Sequence, residues 1–345
     1  MCITVKNGYK YKGVYMKKAL LIMVLITCSF SLWATGQQEK EDDTLKIGYV
    51  FSLMTHEWYQ NILQGAQARA DELGITLVTA DANMDINRQI SAAENLLAQG
   101  VDVLIITPVD AKAMAPIVKM ANQAGVPVLS ESNVIEGAET FVGISNFASA
   151  KTVGEWFVGY AKDNNIDPKV LIVGLPNYED CRQRVDGFKE ALEESGLNYE
   201  IKQEVDGGGD KEKSLMVSQD AMTAHPDINV IFGINDNSAT GGMAAYKEAG
   251  LNESELTVIG FGFEGVVGQT ALLSGSPYKA SLAMFPNYVG VGCIDAAVKA
   301  AKGEALPEHY KTPTVAININ NFDQFYNKDG EKYVIDFEAV RKLED

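Results

Sequence analysis

Leu45-Lys46-Ile47-Gly48-Tyr49-Val50-Phe51 is the stretch whose reading decides the fold. This apolar run is followed by a segment of helical spacing, Ile62 to Leu73, closed by Gly74, and then by a second run, Ile75-Thr76-Leu77-Val78. Strand, helix, strand in that order is the unit of a parallel sheet, because parallel strands need a long crossover between them. Gly74 stands one past the last periodic residue, where a left-handed cap ends a helix. The unit then repeats through Arg88 to Ala98 before Gly100, Val103-Leu104-Ile105-Ile106, Val126-Pro127-Val128-Leu129 and Phe141-Val142-Gly143.

The pattern restarts at Val170-Leu171-Ile172-Val173 and runs through strands Tyr199 to Val205, Val230-Ile231-Phe232 and Leu256-Thr257-Val258-Ile259. Helices are expected between them near Arg184 to Ser195, Glu212 to Ala224 and Ala239 to Ala249. A single doubly wound sheet of so many strands is unusually wide, so the economical reading is an α/β protein with two parallel-sheet lobes, split near Ser145. The remainder, strand 279–283, helix 288–301 and strand 313–318, is too short for a core of its own and is expected to cross back and complete both lobes. Residues 1–43 read as an upstream extension, signal peptide and polar tether, 44–146 with 285–312 as the N-terminal lobe, and 147–284 with 313–345 as the C-terminal lobe.

The leader is legible in Met16-Lys17-Lys18, the apolar run Ala19 to Ile26 and the small residues around Ala34-Thr35-Gly36, the arrangement of a secretory signal. Its apolar run is short for a spanning helix, and a start at Met16 makes Met1 to Tyr15 extraneous. Cys28 resembles a bacterial lipoprotein acylation site with Thr27 in place of the usual small residue; lipidation and simple loss with the signal are both open. Export to the periplasm, or anchoring at the outer face of the cytoplasmic membrane, follows. Lys plus Arg number 29 against 46 Asp plus Glu, a formal charge of −17 that argues against nucleic acid as partner. Only Cys181 and Cys293 remain beyond the leader, as free buried thiols or one bridge, too few for a metal site or a disulfide framework.

Ligands of open parallel sheets bind beyond the carboxyl ends of the strands. In the first lobe those positions carry His56-Glu57-Trp58-Tyr59, Thr107 to Asp110, Glu131-Ser132-Asn133 and Ser145-Asn146; in the second, Asn177 to Asp180 with Arg182, Asn235-Asp236-Asn237 and Gly262-Phe263-Glu264. Aromatic rings cover apolar ring faces while carboxylates, amides and Arg pair with hydroxyls, so a small polyhydroxylated ligand suits them. Structural alternatives stand beside each: Glu57 as a helix-start acid, His56 as a loop residue, Asn235-Asp236 as an N-cap. Arg182 at a helix start opposes the helix dipole, which favours a functional role. No Gly-x-Gly-x-x-Gly or Gly-x-x-x-x-Gly-Lys follows a strand, and His56, His225 and His309 fall in separate elements, so neither a cofactor nor an enzymatic site is expected.

The order of these segments resembles the ribose- and galactose-type periplasmic binding proteins of ATP-driven (ABC) sugar importers. The likeness lies in Gly65-Ala66, Ile105-Ile106-Thr107-Pro108-Val109-Asp110, Met120 to Val128, Arg182-Gln183-Arg184-Val185-Asp186-Gly187-Phe188, Thr223-Ala224-His225-Pro226-Asp227 and Val258-Ile259-Gly260-Phe261, and spans Leu45 to Ile319. It implies Rossmann-like lobes joined by a three-segment hinge that closes on a sugar or polyol, with Trp58, Tyr59, His56, Arg182 and Asn235 at ligand-contacting positions. It also implies a membrane permease as partner, a monomer, and a chemoreceptor as a further candidate reader of the closed form. The family's Asp-Arg pair falls at Ser132-Asn133, its second-lobe aromatic at Gly209, its Gln at Met284 and its Asp at Gly262, with Glu264 two residues on. These departures make the pocket less polar, and a nucleoside, flavin or signalling molecule is the alternative ligand; an enzyme acting on such a ligand is the remaining one.

Overall fold

The opening apolar run becomes β1 (Lys46–Phe51), buried at every residue after Lys46, as a parallel strand covered on both faces must be. The computed structural model describes residues 44–344; the leader, Met16, Cys28 and the tether read from the sequence lie outside them. After β1 come α1 (Glu57–Leu73), β2 (Thr76–Asp81), α2 (Ile86–Ala98), β3 (Val103–Ile106), α3 (Ala111–Gln123), β4 (Val128–Glu131) and β5 (Thr140–Gly143). Gly74 ends α1 at φ 67°, its N–H reaching the carbonyls of Ala70 and Asp71. The helix begins five residues before the periodic segment because His56 caps it.

The second round is α4 (Asn146–Asp163), β6 (Lys169–Gly174), α5 (Glu179–Glu194), β7 (Glu200–Asp206), α6 (Lys211–Ala224), β8 (Val230–Gly233), α7 (Asp236–Glu248), β9 (Thr257–Gly262), α8 (Val266–Leu273) and β10 (Tyr278–Ala283). It is followed by α9 (Pro286–Ala301), β11 (His309–Lys311) and β12 (Val315–Asn318). The strands make two six-stranded sheets, β2-β1-β3-β4-β5-β11 and β7-β6-β8-β9-β10-β12. All neighbours are parallel except β10 and β12. The same order recurs in both sheets, so each has its switch point in the same place, between its first and third strands.

The chain passes from one sheet to the other three times, between β5 and β6, between β10 and β11, and between β11 and β12. Helices cover both faces of each sheet. In the first, Ile47, Tyr49, Phe51 and Ile105 pack with Ile62, Val289 and Ile294, while Val50, Leu104 and Ile106 pack with Met114 and Val118 on the other side. The second sheet buries Leu171, Val173 and Ile231 on one face and Ile172 and Phe232, with Phe188, on the other.

Two glycines explain why α9 returns to the first lobe. A Cβ on Gly65 would lie 1.8 Å from the Asn287 carbonyl oxygen, and one on Gly290 would lie 2.1 Å from that of Ile62. Residues without side chains at both positions let α1 and α9 meet backbone to backbone.

Candidate functional site

The loop after β1 delivers the first group. His56 accepts a hydrogen bond at Nδ1 from the Trp58 N–H at 3.1 Å, so it serves as the N-cap of α1 and its ring is committed to that end of the helix. Trp58 and Tyr59 therefore sit in the first helical turn, and Trp58 packs against the hydrophobic cores of both lobes. Burial, and next the charge of Glu131, push the Tyr59 phenol up to about 12.

Glu131 ends β4 and is 1% exposed. Thr107, just past β3, donates to its Oε2 at 2.6 Å, Ser132 donates to its Oε1 at 2.6 Å, and Trp58 adds a further side-chain hydrogen bond. Burial outweighs these donors and pushes the carboxyl up to about 7. Ser132 adopts φ 62°, a left-handed conformation that turns the chain sharply after the strand. Asn133 is exposed, its backbone N–H donating to the Glu131 carbonyl at 2.7 Å.

In the second lobe the two arginines of α5 part company. Arg184 donates from Nε to Asn146 Oδ1 at 2.8 Å and from Nη1 to the Ile234 carbonyl at 3.0 Å, and its guanidinium lies 4.5 Å from the centre of the Phe261 ring. Ile234 follows β8 and Phe261 lies next to the last residue of β9, so Arg184 stands at the carboxyl end of the sheet. Arg182 is exposed; it donates to the Pro176 carbonyl at 2.6 Å, pairs with Glu179, and lines a shallow groove with Glu204 and Asp206. Residues two apart on a helix point away from each other, so only one of the pair can face the sheet end. The sequence held this signal: Cys181, Val185, Phe188 and Leu192 mark the buried stripe of α5, and Arg184 falls within it.

Asn235 caps α7, accepting from the Ser238 N–H at 2.7 Å and donating from Nδ2 to the Gly209 carbonyl at 2.9 Å. Asp236 is buried beneath it, accepting from the hydroxyls of Tyr278 at 2.5 Å and Ser281 at 2.8 Å, and burial pushes it up to about 6. Its carboxylate is thus engaged inside the second lobe. Glu264 is half-buried beyond β9; burial, then the charge of Asp236, push it up to about 7, against the pull of Arg184. Met284 is buried and donates its N–H to the Gly262 carbonyl at 3.0 Å, immediately before Phe285 turns the chain at φ 48° into α9.

The lobes touch where these groups meet. Asn61 of α1 donates from Nδ2 to the Glu264 carbonyl at 3.1 Å, and the Glu57 carboxylate packs on Gly265. Trp58, Tyr59, Glu131 and Ser132 come from one side; Arg184, Asn235, Glu264 and Met284 come from the other. Asn133 and Arg182 are turned to the partners named above; the His56 ring lies 5.9 Å from that of Tyr59 and the charge of Asp236 reaches Glu264, so both stand beside this set while also serving the fold, Asn146 holds Arg184, and Arg184 is the group the loop positions did not indicate. Cys181 and Cys293 are both buried and unpaired, and burial pushes Cys181 up to about 11 and Cys293 well above the ordinary thiol value. Among the described residues no group of three or more His, Cys, Asp or Glu is placed to hold a metal ion, and no helix is long and apolar enough to cross a membrane.

Two α/β lobes of matching strand order, meeting at the carboxyl ends of their sheets over a mixed aromatic and charged set, define a solute-binding architecture. A family model described as a periplasmic binding protein domain matches residues 47–305, and the chain belongs to that family. It is similar to the ribose import binding protein of Escherichia coli K12, 29% identical over 298 residues that cover 86% of this chain and 96% of the relative. The galactofuranose-binding protein of the same organism is 28% identical over 303 residues, covering 85% and 92%. Among solved structures, an ABC transporter solute-binding protein from Mycobacterium smegmatis with bound glycerol is 30% identical, with a TM-score of 0.70 over 83% of this chain and 98% of that one. A periplasmic solute-binding protein from Actinobacillus succinogenes with bound D-allose, 23% identical over 81% and 99%, shares the fold at a TM-score of 0.72.

Proposed function

We propose that this chain is the exported substrate-binding component of an ATP-driven (ABC) importer and captures a sugar or polyol between its lobes. The observation that carries the reading is the convergence of Trp58, wedged between the two cores, with Arg184 and Glu264 from the opposite lobe. The names of the relatives, which bind ribose and galactofuranose, support the same ligand class. In this reading an indole covers the apolar face of the ligand ring, Arg184, Asn235 and Glu264 exchange hydrogen bonds with its hydroxyls, and buried Glu131 holds Thr107, Ser132 and Trp58 in place behind them. The Glu264 carboxyl, held near 7 by burial, exists partly as the acid, able to donate as well as accept, which matches hydroxyls that do both.

The three crossings between sheets are the hinge, and the lobes are taken as 44–146 with 285–312 and 147–284 with 313–345. Contacts made by both lobes exist only in the closed form, so ligand shifts the population toward it, and closure is what a membrane permease, or a chemoreceptor, reads. Export rests on the leader, a monomer on the family, and no catalytic role is assigned.

Calorimetry against pentoses, hexoses, inositols, glycerol, nucleosides and flavins tests the ligand class. With the ligand found, Arg184→Ala is expected to weaken binding by about 1.5 to 3 kcal/mol, the range for hydrogen bonds to charged groups, while Arg182→Ala leaves it unchanged. Loss of binding in Arg182→Ala with wild-type affinity in Arg184→Ala overturns this assignment of the arginines.

A further inference from the structure

One face of α1 grips the opposite lobe through the Glu264 backbone and Gly265, leaving the side chains of the ligand site free. Glu57 and Asn61 lie one helical turn apart and so share that face. Asn61 holds the Glu264 carbonyl at 3.1 Å, and both Glu57 carboxyl oxygens lie 2.7 and 2.8 Å from where a Cβ on Gly265 would stand. Gly265 is the N-cap of α8, which has no side-chain cap of its own. An acid from the other lobe therefore stands where a capping side chain would be, at the helix end that favours negative charge. Gly265 is in extended backbone at φ −158°, which any residue adopts, so the absence of a side chain there is explained by Glu57 rather than by conformation.

We propose that Glu57 and Asn61, closing on Glu264 and Gly265, form a clasp that stabilises the closed arrangement of the lobes in the absence of ligand. The clasp rests on the two-lobed reading above but not on the identity of the ligand. A protein that supplies part of its own closing free energy raises the fraction competent to retain ligand, and its apparent affinity rises by the same factor. Glu57 and Asn61 would then be positioning residues, setting affinity without touching the solute.

The test is made on ligand-free protein, so failure of the ligand assignment and failure of the clasp are distinguishable. Fluorophores attached at the exposed Lys119 and Glu248, one in each lobe, report the inter-lobe distance distribution. Wild type is expected to populate a closed fraction; Asn61→Ala is expected to lower the closed-to-open ratio by about fivefold, as loss of a hydrogen-bonded contact does, and Gly265→Ala to lower it by at least as much, because its methyl meets the Glu57 carboxyl. Gly265→Ala displaces Glu57, so combining it with Glu57→Ala is expected to add nothing further. Unchanged thermal unfolding in Asn61→Ala separates loss of the clasp from loss of the fold. A wholly open ligand-free wild type, an undiminished closed fraction in the variants, or additive effects of the Glu57 and Gly265 changes overturns the proposal.

Discussion

Replacing Glu131 by Gln isolates one buried carboxyl and makes its contribution measurable through pH. The group is 1% exposed and burial holds it at about 7 against an ordinary 4.5. A folded-state value above the unfolded one means the native protein binds the proton more tightly. Its stabilising effect is therefore full below about pH 4.5 and is lost as pH rises through about 7. The difference of the two values corresponds to about 3 kcal/mol of stability that wild type has in acid and lacks at about pH 8. Gln keeps the shape and removes the titration. Any cost of rearranging the Thr107 and Ser132 hydroxyls is the same at every pH and drops out of the slope. Asp236 and Glu264, also raised by burial, titrate in both proteins and cancel in the comparison. Denaturant unfolding of the ligand-free protein at several values from acid to about pH 8 is expected to show wild type losing about 3 kcal/mol relative to Glu131→Gln. Parallel pH profiles for the two proteins would refute the reasoning, because they would mean that Glu131 titrates alike folded and unfolded.

Gly65→Ala is expected to lower stability by about 3 kcal/mol or more, since the added methyl meets the Asn287 backbone and not a side chain that can turn away, and calorimetric unfolding reads the loss. Gly159→Ala, where nothing lies near the added Cβ, is the control and should change stability little. Cys181 and Cys293 are expected to react with a thiol reagent only at the rate of unfolding, because burial keeps both protonated and covered; rapid labelling of either in the native protein would contradict this.

Much of the candidate site lay open in the linear pattern. In parallel sheets the residues just after the strands line the carboxyl end, so those positions alone mark Trp58, Tyr59, Ser132, Asn235 and Glu264 as candidates, and the fold sets the first three and the last two on facing sides. Where the reading lacked a helical phase it had no means of choosing between side chains. Arg182 and Arg184 are chemically identical and two positions apart; the phase of α5 sends one to Pro176 and Glu179 and the other to Asn146, Ile234 and Phe261. His56 and Asp236 show a second limit. Polar residues in the right loops can also serve the fold, one capping α1 through Nδ1 and the other satisfying Tyr278 and Ser281, and a sequence does not say which donor reaches which acceptor.

By itself the sequence determined the class of fold, the repetition of one α/β unit and the loops at the carboxyl ends of its strands. These are local properties, written in apolar periodicity and glycine stops along short segments. Only the tertiary structure decided that α9 docks on α1 through Gly65 and Gly290, that Arg184 joins Glu264, and that Glu57 and Asn61 reach the opposite lobe. The contacts of α1 join residues more than two hundred positions apart, and all of these contacts depend on side-chain direction and backbone approach, which periodicity does not encode.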